Sequence, residues 1–156
     1  MSSKLIHQER LVYQEIKLYL NKNRCFELNN IIPYVKTKLD EKDIIIDDNT
    51  ITSIISSFSK RKIIVEGSNF LREDVLTVKK RKIIFDYIVQ TPGINYSNIV
   101  EDLNFNNHIV RWHLNILLIF DFIYKVHIDD HNAYFDSEFN YKEANELPDV
   151  KNIHYQ

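Results

Sequence analysis

The stretch that decides the fold is Asn107-His108-Ile109-Val110-Arg111-Trp112-His113-Leu114-Asn115-Ile116-Leu117-Leu118-Ile119-Phe120, followed after Asp121 by Phe122-Ile123-Tyr124-Lys125-Val126-His127. Val110, Leu114 and Leu117 are spaced four and three apart, the repeat of one helix face. His108, Arg111, Trp112 and Asn115 then fall on the outer side, with Asn107 at the helix start. From Phe122 the period shortens to two, as a strand requires. Asp129-Asp130-His131-Asn132 is turn chemistry, and Ala133-Tyr134-Phe135-Asp136 is the returning strand. A helix running into a two-stranded hairpin is expected over 107–136.

Upstream, from near Val78, Ile83, Ile84, Tyr87 and Ile88 form a helix stripe that Thr91-Pro92-Gly93 stops. Ser97 is expected to cap a short helix carrying Ile99, Val100 and Leu103, and Asn104-Phe105-Asn106 to form a tight turn. The first seventy residues repeat this order. Leu5 to Leu20 has helical spacing with one apolar face. Asn29 or Asn30 can cap a second helix through Ile32, Tyr34, Val35 and Leu39, with Pro33 in its first turn. Asp47-Asp48-Asn49 caps a third, from Thr50 to about Lys60, with Ile51, Ile54, Ile55 and Phe58 inward. Lys62 to Glu66 reads as a strand, Gly67-Ser68-Asn69 as its turn and Phe70-Leu71 as the return.

Helix, helix, helix, hairpin is the winged-helix order, and here it occurs twice. The expected fold is mainly α with small β hairpins (α+β), a tandem winged helix-turn-helix. The domains are 1–72 and 73–136, and 137–156 is a loosely docked C-terminal tail.

In the second copy Pro92-Gly93-Ile94, Ser97-Asn98-Ile99, Leu103, Val110-Arg111-Trp112-His113-Leu114, Leu117 and Phe122-Ile123 carry a resemblance. They resemble the winged helix-turn-helix of prokaryotic transcription regulators, with archaeal members of the MarR/ArsR-like group as the comparison. Those regulators place a V-x-x-H-L-x-x-L stretch on the recognition helix, and Val110, His113, Leu114 and Leu117 stand at that spacing. The chain departs from them at Asp121, where the group has Gly two residues before the strand's Ile. The resemblance covers about 45 residues and implies duplex DNA as the partner and a homodimer as the working state.

On that implication the outer face of the helix reads bases. Arg111 can meet two acceptors on guanine and Asn115 can pair with adenine; Asn107, His108 and Trp112 complete the face. Lys60-Arg61-Lys62 and Lys79-Lys80-Arg81-Lys82 are candidate phosphate contacts. The second cluster stands at a helix start, where the macrodipole disfavours cations, which argues for another purpose.

Composition narrows the rest. Gly67 and Gly93 are the only glycines of the 156 residues, so no glycine-rich phosphate cradle exists and P-loop or Rossmann enzymes are disfavoured. The single Cys25 excludes an intrachain disulfide framework and a cysteine zinc finger. His127, Asp129, Asp130 and His131 have metal-ligand chemistry, but Asp-rich hairpin tips are common for backbone reasons. No metal, cofactor or enzymatic activity is expected. No run approaches the roughly 20 apolar residues of a membrane helix, and the N-terminus lacks an apolar signal core, so a cytoplasmic protein is expected.

Charge supplies the competing expectation. Residues 1–80 hold 14 Lys/Arg against 11 Asp/Glu, and residues 81–156 hold 6 against 11. The half with the recognition-helix pattern is the acidic one, and Asp129 and Asp130 occupy the wing tip. Tandem winged helices also build protein assemblies, ESCRT subunits among them, so a protein-protein interaction module without DNA binding is the alternative.

Overall fold

The computed structural model describes residues 3–22, 25 and 27–144. The protein is mainly helical with one small three-stranded antiparallel sheet, an α+β architecture. It forms two compact units that divide between Arg72 and Glu73.

The first unit packs α1 (Ser3–Lys22), α2 (Leu28–Glu41) and α3 (Asp48–Lys60) against one another. Each contributes a stripe at helical spacing: Val12, Ile16 and Leu20; Ile31, Val35 and Leu39; Ile51, Ile54, Ile55 and Phe58. The four residues expected to point inward from α3 are all buried. Asp47 caps α3 as expected, its carboxylate accepting the Thr50 N–H at 2.9 Å.

Three local expectations fail here. Neither Asn29 nor Asn30 caps α2, which begins at Leu28 after Glu27. The Leu28 N–H instead donates to the Glu66 carboxylate at 3.0 Å, so a residue 38 positions away satisfies the helix end. Pro33 consequently lies inside the helix and not in its first turn. The expected hairpin of Lys62–Glu66 with Phe70-Leu71 contracts to a single bridge, Ile64 with Leu71. Lys62 is needed to end α3 in the left-handed conformation and Gly67 already turns the chain at φ 84°, leaving too short a run for a ladder.

The second unit begins within a 3-10 helix, Arg72–Thr77, of which Glu73 to Thr77 belong to it. Its elements are α4 (Lys79–Gln90), β1 (Ile94–Asn95), α5 (Tyr96–Leu103), α6 (Asn107–Ile119), β2 (Ile123–Ile128), β3 (His131–Asp136) and α7 (Tyr141–Ala144). The sheet order is β1-β3-β2, with Ile94 opposite Tyr134 and Ile123 opposite Asp136. Strand β1 is unanticipated, and it moves the cap: Asn95, not Ser97, accepts the Asn98 N–H at 2.8 Å. The α4 stripe is also corrected. Arg81, Ile84 and Ile88 are buried, whereas Ile83 is exposed. Tyr87 flanks the stripe and its hydroxyl bonds to Asp102 of α5, which pushes the phenol up to about 12.

The β2–β3 connection is only two residues, Asp129 and Asp130, at φ 46° and 69°. Two successive positive φ values are those of the tight hairpin turn that matches strand twist. Residues 137–144, expected to be loosely docked, pack on the sheet. Phe139 stacks on Phe135 at 5.1 Å and Tyr141 lies 5.2 Å from the same ring. The Tyr124 hydroxyl donates to the Phe139 carbonyl at 2.6 Å. The remainder of the expected tail, 145–156, lies outside the described residues.

Three helices end by one device. Asp43, Lys62 and Asp121 adopt φ 56°, 56° and 58°. The next N–H, from Ile44, Ile63 or Phe122, reaches back to the carbonyl of Leu39, Phe58 or Leu117 at 2.9 Å in each case. This is the Schellman closure with an apolar residue following the left-handed one. Asp121 therefore takes the backbone conformation for which glycine is favoured.

Candidate nucleic-acid interface

Helix α6 is set by its ends. Asn106 caps it, accepting the His108 N–H at 2.9 Å, and Asn104 makes the preceding left-handed turn at φ 51°. Its inner face buries Val110, His113, Leu114, Ile116 and Leu117. The expected outer residues Asn107, His108, Arg111, Trp112 and Asn115 are all exposed.

Two flanks of this face differ in character. On one, Arg111 and Asn115 line a groove of ≈ 360 Å³ with Tyr96 of α5, Leu114 and Leu118, Lys125 of β2, and Asn132 and Tyr134 of β3. The Arg111 guanidinium lies 5.7 Å from the Tyr96 ring centroid, a cation–π distance. The Tyr96 hydroxyl donates to the Asn107 carbonyl at 2.9 Å. Two cations and two carboxamides thus border one opening, with donors suited to phosphate oxygens and base edges. Lys125, Asn132 and Tyr96 were not anticipated as site residues. No sequence signal marked Lys125: strand alternation puts it on the same face as buried Ile123, yet two residues further along β2 that face is exposed.

On the other flank Trp112, 49% exposed, covers Arg81 at 5.1 Å and stands 4.9 Å from the His113 ring. Arg81 is fully buried, donating from Nη1 to the Val75 carbonyl at 2.8 Å and from Nε to His113 Nδ1 at 3.3 Å. Arg81 is therefore a core residue and not a member of the basic surface cluster. Burial, then the Arg81 and Lys80 charges, lower the His113 pKa to about 4. The imidazole is neutral, with its Nδ1 lone pair accepting from Arg81.

Of the remaining cluster, Lys79 and Lys80 are exposed, and Lys80 lies 5.6 Å from the Phe105 ring in the turn before α6. Lys82 pairs with Asp86 at 2.9 Å. Lys60, Arg61 and Lys62 belong to the first unit. Lys60 is exposed, Lys62 half-buried, and Arg61 approaches Glu9 at 3.7 Å and packs over Phe58. The outer face of α3 opens on a concavity of ≈ 530 Å³ lined by Asn49, Thr50 and Ser53, but also by Glu9 and Asp47. Hydrogen bonds from Thr50 hold Asp47 below the usual carboxylate range.

At the hairpin tip Asp129 and Asp130 are exposed. His131 Nδ1 bonds to the Asp129 carbonyl at 3.0 Å, and His127 Nδ1 lies 3.3 Å from Asn132 Oδ1. Among the described residues no group of three or more His, Cys, Asp or Glu could hold a metal ion. Among them, too, no helix is long and apolar enough to cross a membrane. Comparison with family models, curated proteins and solved structures found no match.

Proposed function

We propose that the protein is a DNA-binding transcription regulator that reads duplex DNA with α6, each unit being a winged helix-turn-helix. The order α4, β1, α5, α6, β2, β3 is that of a winged helix, and the first unit is its counterpart without a developed wing. On this reading the protein works as a homodimer in the cytoplasm. The observation that carries it is the exposed set Asn107, His108, Arg111, Trp112 and Asn115 opposite a buried helix face, with Lys125 across the adjoining groove. A helix that enters the major groove needs that division of faces.

Arg111 and Asn115 are the base readers, and Lys125, Lys79 and Lys80 the phosphate contacts of this unit; the Lys60-Arg61-Lys62 cluster supplies further phosphate contacts from the first. Selection of bound duplexes from a random pool tests the assignment. The wild type enriches a defined sequence, and Arg111→Ala relaxes it at one or two positions with a loss of about 1–3 kcal/mol. Lys125→Ala weakens binding to all duplexes by a similar factor and leaves the enriched sequence unchanged. A pool that emerges unenriched removes sequence reading from the account.

The second reading is a protein-interaction module. The carboxylates at the hairpin tip and the exposed Ile83, Val89 and Trp112 favour it. It expects Trp112→Ala to abolish a protein complex while no duplex binds at low salt.

A further inference from the structure

We infer that Tyr96 is the positioning residue for Arg111, holding its guanidinium at the rim of the groove between α6 and the hairpin before any nucleic acid binds. This rests on the reading of α6 as the DNA-contacting helix. Tyr96 opens α5, so it reaches Arg111 from a different element. Its hydroxyl donates to the Asn107 carbonyl at 2.9 Å and lies 3.1 Å from Asn107 Oδ1. Its ring sits 5.7 Å from the Arg111 guanidinium carbon. Asn107 and Arg111 are one helical turn apart on α6, so a single aromatic ring is tied to the first turn and supports the cation of the second.

The tie gives the ring a fixed place, and the ring gives the cation a preferred one. Arginine otherwise carries large rotamer freedom, and ordering it on binding lowers affinity for the matched base most, because only that contact demands one geometry. Tyr96 moves that ordering into the free protein. Asn107 shares its side-chain oxygen with the Tyr96 hydroxyl, so it belongs to the support and not to the set of base readers.

Two measurements test this on the full chain. In the free protein, the Arg111 Nε–H resonance carries a ring-current shift from Tyr96. It moves toward the unstructured position in Tyr96→Leu and stays close to wild type in Tyr96→Phe, which retains the ring. In anisotropy titrations on the preferred duplex and its single-base variants, Tyr96→Leu lowers the preference about two- to tenfold. It leaves affinity for non-preferred duplexes and the salt dependence unchanged. Tyr96→Phe, which loses only the tie to Asn107, gives a smaller loss in the same direction. Combined with Arg111→Ala, Tyr96→Leu adds nothing further. An Arg111 resonance indifferent to Tyr96→Leu, or losses that add in the double variant, would overturn the inference. A wild-type chain that binds no duplex overturns the DNA reading instead, and the resonance alone then decides whether Tyr96 holds Arg111.

Discussion

Arg81 and His113 carry the clearest lesson of single residues. In the run Lys79-Lys80-Arg81-Lys82 the four cations look equivalent, yet Arg81 is the one in phase with Ile84 and Ile88 and is fully buried. The three- and four-residue spacing was the available signal; charge type concealed it. The V-x-x-H-L-x-x-L stretch is explained in the same terms. Val110, His113, Leu114 and Leu117 are all buried, and His113 accepts from Arg81, so the pattern reports packing of the inner face of α6 and not contact with a ligand. A pH dependence follows from the His113 pKa of about 4, below the ordinary 6.5. As pH falls through 6.5 the unfolded chain takes up a proton that the native imidazole refuses until about 4. Stability is therefore complete above that window and declines across it, by up to about 3 kcal/mol. Urea unfolding at pH 7.5, 5.5 and 4.5 measures the decline, and His113→Gln flattens it. A variant as pH-sensitive as the wild type would assign the effect to other groups. Arg81→Leu removes the donor to His113 and the cation beneath Trp112; it costs about 2–4 kcal/mol in the same assay.

Elements were legible where a period ran long enough to be counted. The inner faces of α3 and α6 could be read from spacing alone, because three or four apolar residues repeat over three turns. Strand β1 could not: two residues carry no period, and Ile94-Asn95 is a strand only because β3 runs beside it. The cap of α2 was illegible for a related reason, since Glu66 reaches Leu28 from the far end of the unit. Helix exits were readable in retrospect as polar-then-apolar pairs, Asp43-Ile44, Lys62-Ile63 and Asp121-Phe122, in a chain with almost no glycine to advertise them. These exits are where stability can be gained. Lys62→Gly relieves a left-handed lysine and raises stability by about 0.5–1 kcal/mol, read as a higher urea midpoint at constant slope. Asp121→Gly gives a smaller gain, because aspartate tolerates that conformation better. An unchanged or lower midpoint for Lys62→Gly would mean the exit is unstrained.

For the molecule as a whole, the net charge of −2 supplies no general attraction to nucleic acid. Residues 81–156 carry 6 Lys/Arg against 11 Asp/Glu, so recognition on the proposed reading depends on local arrangement. Arg111 and Lys125 line the groove while Asp129 and Asp130 stand at the turn, where backbone geometry accounts for them. Their repulsion is nevertheless felt by a polyanion. The double variant Asp129→Asn, Asp130→Asn binds duplex several-fold more tightly at low ionic strength, and its advantage shrinks as salt shortens the Debye length. An advantage that persists at high salt would make it a contact effect. The most direct measurement is duplex binding by fluorescence anisotropy across a salt series. With Lys79, Lys80 and Lys125, and the Lys60-Arg61-Lys62 cluster, meeting phosphates, log K falls linearly with log salt at a slope of about −3 to −5. Binding of no duplex at the lowest salt, or an affinity indifferent to salt, would contradict the account.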